Sequence, residues 1–367
     1  MTRKRARELG IPCGVMDPGE YNAITDVAGV RVGHVTRRES EICSGVTAIL
    51  PHGGNLFQEK VVAAAHVLNG FGKTLGLAQI GELGQLETPI LLTSTLSAPK
   101  AADALISWML ALDDTITSLN PVVGECNDSF LNNIRQRAID ETDVFMALDS
   151  STGGHVSEGA VGGGSGMTAF GYKGGIGTSS RVLPGDLGGF TVGMLVMANF
   201  GGPQDLLIAG VPVGRMLQQC HNEENSSNAR NEVNSGDGSI MMIMATDAPL
   251  SSRQLLRLAK RAPLGLARTG STASHGSGDF VLAFTTAERI PHQKPGAELF
   301  RPVMRLYEDS QVLTALFTAA IEATEEAIYN ALCMAETTRG YQNHIREALP
   351  LGEVRAILSK HKRLIEK

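Results

Sequence analysis

The sequence of 367 residues has few cysteines and no paired cysteine motif. The five cysteines are odd in number and scattered along the chain: Cys13, Cys43, Cys126, Cys220 and Cys333. No two of them have the C-x-x-C spacing that is typical of zinc sites and redox dithiols. This usage argues against a disulfide framework and fits a reducing compartment. A cytoplasmic location is therefore predicted.

Histidine pairs with metal-ligand spacing are also missing. The nine histidines are dispersed, and none lies in an H-E-x-x-H motif. The sequence thus predicts no metal site, although ligands distant in sequence could converge in the fold. No cofactor is expected.

Long apolar runs and an excess of positive charge are absent. No stretch of about 18 apolar residues is present, and no apolar segment follows the first positive charges, so neither a membrane span nor a signal peptide is predicted. The net charge of -6 gives no electrostatic footprint for nucleic acid. The basic opening Arg3–Arg7 is predicted to be a solvated tail.

The residues that are present are typical of a soluble globular protein, with 43% hydrophobic and 19% charged. Several short runs are apolar on both alternating faces, as in buried strands. The predicted strands are Gly45–Leu50, Val61–Leu68, Pro89–Thr95, Asp143–Ser150, Phe190–Phe200, Ser239–Asp247 and Asp279–Thr286. Helical spacing predicts helices over Ala98–Leu112, Ser251–Ala262 and Ser310–Glu336. The pattern indicates buried sheets covered by helices.

Three familiar motifs are incomplete or absent. "GKT" at Gly72–Thr74 lacks the glycine of a P-loop, because Val67 occupies that position. Neither a dinucleotide fingerprint nor a G-x-S-x-G elbow is present. The glycine-rich segment Tyr172–Arg181 leaves two interpretations open, an anion cradle made of backbone N–H groups and a tight turn between strands.

Ser239 lies where a polar segment, Gln218–Gly238, meets a nearly all-apolar run. The polar segment is predicted to be a long, exposed and mobile loop. A serine hydroxyl needs a base, and an N-terminal residue can use its own α-amine, whose pKa is about 7.7 to 8.0. That chemistry would require cleavage of the bond between Gly238 and Ser239. From spacing alone, a turn before a strand is the more common role of such a serine.

Five segments in order resemble the DmpA-type aminopeptidases, which include the L-aminopeptidase D-Ala-esterase/amidase and the β-peptidyl aminopeptidases. They are "VVGECNDSFLNNI", "VGGGSGMTAFGYKGGIGTSSR", "NSGDGSIMMIMATDAPL", "LGLARTGSTASHGSGDFVLAF" and "TEEAIYNAL". The resemblance implies an α+β fold, a four-layer αββα sandwich like that of the N-terminal-nucleophile hydrolases. It also implies one composite domain over residues 1–367, self-cleaved into 1–238 and 239–367, and a homotetramer.

The same resemblance assigns candidate site residues. Gly238 and Ser239 match the cleavage point and nucleophile, and Ser277 with Asp279 matches a supporting Ser-x-acid pair, in which the family usually has glutamate. The carboxylate would favour the ammonium form of the amine and orient it. Without the resemblance, Ser277 and Asp279 could equally be a polar turn that opens a strand.

Three further candidates are carried over. Asn199 matches the amide that stabilises the oxyanion, and Glu125 matches the acid that binds the substrate ammonium. Asn127 stands where the best-known members have a tyrosine, so a different substrate preference is expected. The alternatives for Asn199 and Glu125 are a turn residue and an exposed loop carboxylate.

The sequence therefore predicts a self-processing serine aminopeptidase or amidase. Its partner would be a small peptide, amide or ester with a free amino group. One alternative is an acyltransferase of the ornithine acetyltransferase type, but those enzymes use threonine as the nucleophile. The other is an uncleaved ligand-binding relative that uses "GGIGTSSR" as an anion cradle.

The cleavage hypothesis has a direct test. The purified protein should run as two fragments, residues 1–238 and 239–367, because the new α-amine is required as the base. Ser239→Ala should remain a single chain and be inactive. Intact mass spectrometry measures both, and an active enzyme that consists only of the full-length chain would refute the hypothesis.

Overall fold

A computed structural model describes residues 3–224, 238–293, 296, 299–308 and 310–365. The strands are β1 (Arg31–Glu39), β2 (Ile42–Leu50), β3 (Glu59–Gly70), β4 (Gln85–Leu86), β5 (Ile90–Ser94), β6 (Val122–Cys126), β7 (Thr168–Ala169), β8 (Tyr172–Lys173), β9 (Gly175–Val182), β10 (Thr191–Asn199), β11 (Ser239–Thr246), β12 (Gly278–Pro291), β13 (Thr338–Arg339) and β14 (Ile345–Arg346). The helices are α1 (Leu77–Leu83), α2 (Ala98–Leu112), α3 (Glu141–Asp149), α4 (Val213–Glu224), α5 (Ser252–Ala259), α6 (Ala262–Arg268), α7 (Ser310–Met334) and α8 (Leu351–Lys360).

Two sheets packed face to face form the centre of the molecule. The smaller has the strand order β1-β2-β5-β6, and the larger has the order β4-β3-β12-β11-β10-β9. One apolar core fills the space between the sheets, a second lies between the smaller sheet and helices α2 and α3, and a third lies between the larger sheet and the helices around α7. The predicted four-layer αββα sandwich is confirmed.

The apolar run of β11 has its pattern because both of its faces are buried. Met241 and Ile243 belong to the core between the sheets, whereas Met242 and Met244 belong to the core beneath the helices. A strand buried on both faces needs apolar residues at every position. Ser239 continues the alternation of Met241 and Ile243, so it lies on the face toward the smaller sheet.

Helix α7 lies close against the outer face of the larger sheet. A Cβ atom on Gly177 of β9 would be 2.0 Å from the carbonyl oxygen of Ala327. Only glycine permits this contact, and the helix presents alanines there, so the two backbones approach closely. Residues 175–182 pair with β10 as strand β9. Most of the segment Tyr172–Arg181 is therefore a strand, and it is neither a tight turn nor an anion cradle.

The basic opening of the chain is an anchor, and the prediction of a solvated tail was wrong. Arg7 pairs with Glu326 at 2.9 Å, and Glu326 also pairs with Arg181 at 2.7 Å. Arg181 is fully buried and contacts Glu322 as well, at 3.1 Å. Arg5 donates to the carbonyl oxygens of residues 21, 22 and 178. The N-terminal segment is thus attached to β9 and α7 by charged groups that have buried partners.

Two predictions of local structure also need correction. The segment 143–150 was predicted as a strand, but residues 143–149 lie in helix α3 and Ser150 caps its C-terminal end. Asp140 caps the N-terminal end, where its side chain accepts a hydrogen bond from the N–H of Asp143. Apolar residues at positions 144, 147 and 148 have helical spacing and face one core. Residues 218–224 belong to helix α4 rather than to a loop. The rest of the predicted mobile loop, up to residue 237, lies outside the described residues.

Among the described helices, none has the length and apolar character needed to cross a membrane.

Candidate active site

A cavity of about 530 Å³ opens at the end of the larger sheet where β10 ends and β11 begins. Ser239, Asn199, Glu125, Asn127 and Gly238 all line it. These residues come from distant parts of the sequence. The structure therefore brings together the candidate nucleophile, its cleavage point, the oxyanion amide and the residues assigned to the substrate.

Strand pairing places Ser239 between residues of the two neighbouring strands. It lies opposite Asn199 in the antiparallel pair β10–β11 and opposite Gly278 in the parallel pair β11–β12. The N–H of Gly278 donates to Ser239 Oγ at 3.2 Å and to the carbonyl oxygen of Gly238 at 3.2 Å. One amide thus contacts both the hydroxyl and the carbonyl that would react in self-cleavage. Sequence reasoning missed this group because it belongs to the backbone.

Gly238 is in a position that excludes a side chain. A Cβ atom there would be 2.2 Å from the carbonyl oxygen of Asn199 and 2.6 Å from the Cα of Phe200. Both neighbours are backbone atoms at the end of β10, so they cannot move aside without disturbing the sheet. Glycine is therefore required on steric grounds before the candidate nucleophile.

The side chain of Asn199 is held at both ends of its amide. Its Oδ1 accepts a hydrogen bond from the N–H of Thr168 at 2.8 Å, and its Nδ2 donates to the carbonyl oxygen of Asn127 at 3.0 Å. The NH₂ group carries a second hydrogen, which can donate to a ligand in the cavity. Asn127 thus has a backbone role that the sequence did not reveal, while its exposed side chain accepts from the N–H of Ser129.

Lys173 supports the wall that holds Asn199, and sequence reasoning also missed it. Its buried ammonium group donates to the carbonyl oxygens of Gly164, Met167 and Gly174, at 2.8 to 2.9 Å. Burial lowers the pKa of Lys173 to about 7. The three bonds fix the backbone just before Thr168, whose N–H orients the amide of Asn199. The only signal was a lysine within an otherwise glycine-rich and apolar segment.

Ser277 and Asp279 form the hydrogen-bonded pair expected from the resemblance, and they also stand where a turn leads into β12, as the alternative had it. Ser277 Oγ donates to Asp279 Oδ1 at 2.6 Å, and both residues are buried. Burial raises the pKa of Asp279 to about 6, and the hydrogen bonds from Ser277 and from the backbone of Ile240 lower it in part. Asp279 Oδ2 is buried and has no hydrogen-bond partner among the described residues.

Glu125 is a buried carboxylate in β6, which contradicts the alternative of an exposed loop residue. It is only 3% exposed. Its Oε1 accepts a hydrogen bond from the N–H of Lys73 at 2.7 Å, and its Oε2 accepts one from the hydroxyl of Thr95. These two donors hold the carboxylate at the cavity, where it can pair with a cationic group of a ligand.

The chain is similar to known proteins over most of its length. Residues 22–346 match Peptidase family S58. The β-peptidyl aminopeptidase BapA of Sphingosinicella microcystinivorans is 40% identical, over 98% of this chain and 93% of that protein. The PH0078 protein of Pyrococcus horikoshii OT3 has a TM-score of 0.89 at 46% identity, covering 98% of this chain and 100% of that chain.

A further solved structure is similar over almost the whole molecule. The L-aminopeptidase D-Ala-esterase/amidase of Ochrobactrum anthropi, described as a prototype of the serine aminopeptidases and a variant of the Ntn hydrolase fold, has a TM-score of 0.88 at 38% identity. The match covers 98% of this chain and 99% of that chain.

The contact at Gly238 predicts a block to processing. Gly238→Ala should leave the chain uncleaved, or slow its cleavage strongly, because the new methyl group would displace the Gly238 carbonyl from the N–H of Gly278. Cleavage is followed by intact mass during expression and storage. Gly185→Ala is the control and should be processed, because a Cβ atom there would have no neighbour within 4 Å. Normal processing of Gly238→Ala would contradict the steric argument.

Proposed function

Because this chain belongs to Peptidase family S58 and is a serine aminopeptidase with an Ntn-hydrolase fold, we propose that Ser239 is its nucleophile. The observation that carries the proposal is the shared hydrogen-bond donor: the N–H of Gly278 contacts both Ser239 Oγ and the carbonyl of Gly238. The nucleophile, the bond to be cut and a polarising donor thus occupy one buried end of the sheet.

Self-cleavage releases the base that the enzyme needs. Ser239 Oγ attacks the Gly238 carbonyl, the C–N bond breaks as its nitrogen takes the hydroxyl proton, and an ester remains. Water then hydrolyses the ester. The products are a Gly238 carboxylate and a Ser239 with a free α-amine and hydroxyl. Residues 1–238 and 239–367 become two chains of one composite domain.

Substrate hydrolysis repeats the attack with the new amine as base. The α-amine takes the Ser239 proton as the hydroxyl oxygen attacks the substrate carbonyl. The C–N or C–O bond of the substrate then breaks, the α-ammonium gives the proton to the departing amine or alcohol, and an acyl-enzyme remains. Asn199 Nδ2 and the N–H of Gly278 stabilise the oxyanion. Asp279 Oδ2 accepts a hydrogen bond from the amine, and Ser277 holds the other oxygen of Asp279 in place. Water releases the acyl group.

Glu125 selects substrates with a free amino group. Its carboxylate is buried at the cavity wall, so a substrate ammonium there would pair with a negative charge that has little access to water. The printed names of the relatives, a β-peptidyl aminopeptidase and an L-aminopeptidase D-Ala-esterase/amidase, support small peptides, amides or esters as substrates. Asn127 lines the same cavity and is proposed to shape the preference among them.

The alternatives have less support. Acyl transfer to an amine would use the same acyl-enzyme, but no observation favours an amine over water as the acceptor. A non-enzymatic anion cradle at residues 174–181 conflicts with the pairing of β9 in the sheet. The homotetramer and the cytoplasmic location stay predictions.

The role of Asn199 has a kinetic signature. Asn199→Ala should lower kcat by about 10² to 10³ with a small change in KM, because an oxyanion donor acts mainly in the transition state. Steady-state kinetics with an amino-acid p-nitroanilide measure this. Because Asn199 also adjoins Gly238, only the cleaved fraction, quantified by mass spectrometry, is counted as enzyme. An unchanged kcat would remove Asn199 from the oxyanion site.

Selection of the amino end is tested by masking it. An N-acetylated p-nitroanilide should be nearly inert, because loss of the ammonium leaves Glu125 desolvated without a partner, a penalty of roughly 2 to 5 kcal/mol. Glu125→Gln should weaken the binding of substrates that have a free amino group. Cleavage after Gly238 should continue, because that step involves no substrate ammonium. Equal rates on the free and acetylated substrates would show that Glu125 does not recognise the amine.

A further inference from the structure

We propose that the ring of Phe71 is an apolar subsite for the side chain of the substrate's N-terminal residue. The inference rests on the proposed function, because it places that residue between the nucleophile Ser239 and the carboxylate of Glu125. It adds a preference for a large apolar side chain over a small one on the acyl side of the bond that is cut.

The segment Phe71–Lys73 borders both groups that would hold the N-terminal residue. At one end, the N–H of Lys73 donates to Glu125 Oε1 at 2.7 Å. At the other end, the carbonyl oxygen of Phe71 would be 3.0 Å from a Cβ atom on Gly278. The N–H of Gly278 is the donor that contacts Ser239 Oγ at 3.2 Å. The segment therefore joins the carboxylate proposed for the ammonium to the donor beside the reacting carbonyl.

A substrate held at both groups has its side chain close to this segment. The ammonium and the reacting carbonyl of an α-amino acid flank the carbon atom that carries the side chain. Fixing both of these groups removes most of the rotational freedom of the residue between them. The side chain then lies near the wall that connects Glu125 with Gly278, and Phe71 lines the cavity at that wall.

The Phe71 ring is flanked by two neighbours but is not covered. The ring of His275, which lines the same cavity, has its centroid 6.2 Å away, and Lys73 Nζ lies 4.8 Å from the Phe71 centroid. The residue nevertheless remains 58% exposed. Covering this ring with an apolar side chain removes apolar surface of both partners from water, which favours binding of a large side chain over a small one.

Asn69 ties the backbone of this wall to the strands that carry the nucleophile. Its Nδ2 donates to the carbonyl oxygen of Ser277 at 2.6 Å and to that of His275 at 3.1 Å. Asn69 itself lies in β3 and pairs with Asp279 of β12. The end of β3, which leads into Phe71, and the turn before β12 are thus held together. A subsite on backbone that is already ordered loses less conformational entropy when a ligand binds.

The experiment varies the N-terminal side chain and keeps the leaving group constant. The wild-type enzyme should hydrolyse the p-nitroanilide of leucine with a higher kcat/KM than that of alanine, in the α- or the β-amino acid series, whichever it cleaves. In Phe71→Ala, kcat/KM for the leucine substrate should fall by about 5- to 30-fold, because the apolar contact is lost. The alanine substrate should change by less than about twofold, because its methyl group covers little of the ring. Phe71→Leu should retain most of the preference.

A second pair of substrates tests on which side of the bond the ring acts. The dipeptides Ala-Leu and Ala-Ala place the large side chain in the leaving group instead. The ratio of their kcat/KM values should be the same in Phe71→Ala as in wild type. A loss in Phe71→Ala that is confined to Ala-Leu would put the ring on the leaving-group side and overturn the inference.

A control variant separates the subsite from a general loss of surface apolar contact. Leu110→Ala removes an exposed apolar side chain from α2, outside the cavity, and should behave as wild type. Only the cleaved fraction of each variant, quantified by mass spectrometry, is counted as enzyme. The inference is overturned if wild type does not prefer leucine, if Phe71→Ala lowers both p-nitroanilides equally, or if the preference persists without the ring. Failure of wild type to cleave any of these substrates would reject the proposed function itself, whereas turnover of the alanine substrate by Phe71→Ala shows that the Ser239 chemistry is intact.

Discussion

The hydrogen-bonded register of β11 is the constraint on which the site depends. This strand pairs with β10 on one side and β12 on the other, and the pairing sets Ser239 beside Asn199 and Gly278. A slip of one residue would turn every side chain of β11 to the opposite face. Because β11 is apolar on both faces, the fit of its side chains rather than their polarity opposes such a slip: each core is close-packed around side chains of a particular size and shape. The core therefore determines where the serine hydroxyl lies.

Polar groups inside the fold extend this constraint to the cavity wall. Lys173 is taken out of water, and its three carbonyl partners compensate for the lost hydration. The same bonds hold the backbone that orients Asn199. On the far side of the larger sheet, Arg181 with Glu322 and Glu326 attaches the N-terminal segment in a similar way. In these two places a buried charge fixes the position of the backbone.

Periodic segments could be read from the sequence, and groups that depend on long-range contacts could not. Helix α2 has the predicted bounds because its apolar spacing is regular over the whole segment. The candidate site residues came from the resemblance, and the structure places Ser239, Asn199 and Glu125 around one cavity. Neither the N–H of Gly278 nor the role of Lys173 could be inferred, because backbone groups leave no mark on residue identity and the partners of Lys173 are carbonyls. The anchoring role of Arg5 and Arg7 was missed because it depends on partners distant in sequence, the carbonyl oxygen of Thr178 for Arg5 and Glu326 for Arg7.

The strand order of the larger sheet has a consequence for reversibility. The two strands that follow Ser239, β11 and β12, lie in the middle of that sheet, with β3 on one side and β10 on the other. If the bond before Ser239 is cut as proposed, each piece lacks the neighbours that its central strands need, and the sheet becomes a heterodimer interface made of main-chain hydrogen bonds. Folding of the intact chain is a first-order process, but reassembly of the separated pieces would be second order and depend on concentration. Cleavage would thus make reassembly of this sheet depend on the concentration of both pieces once they have separated.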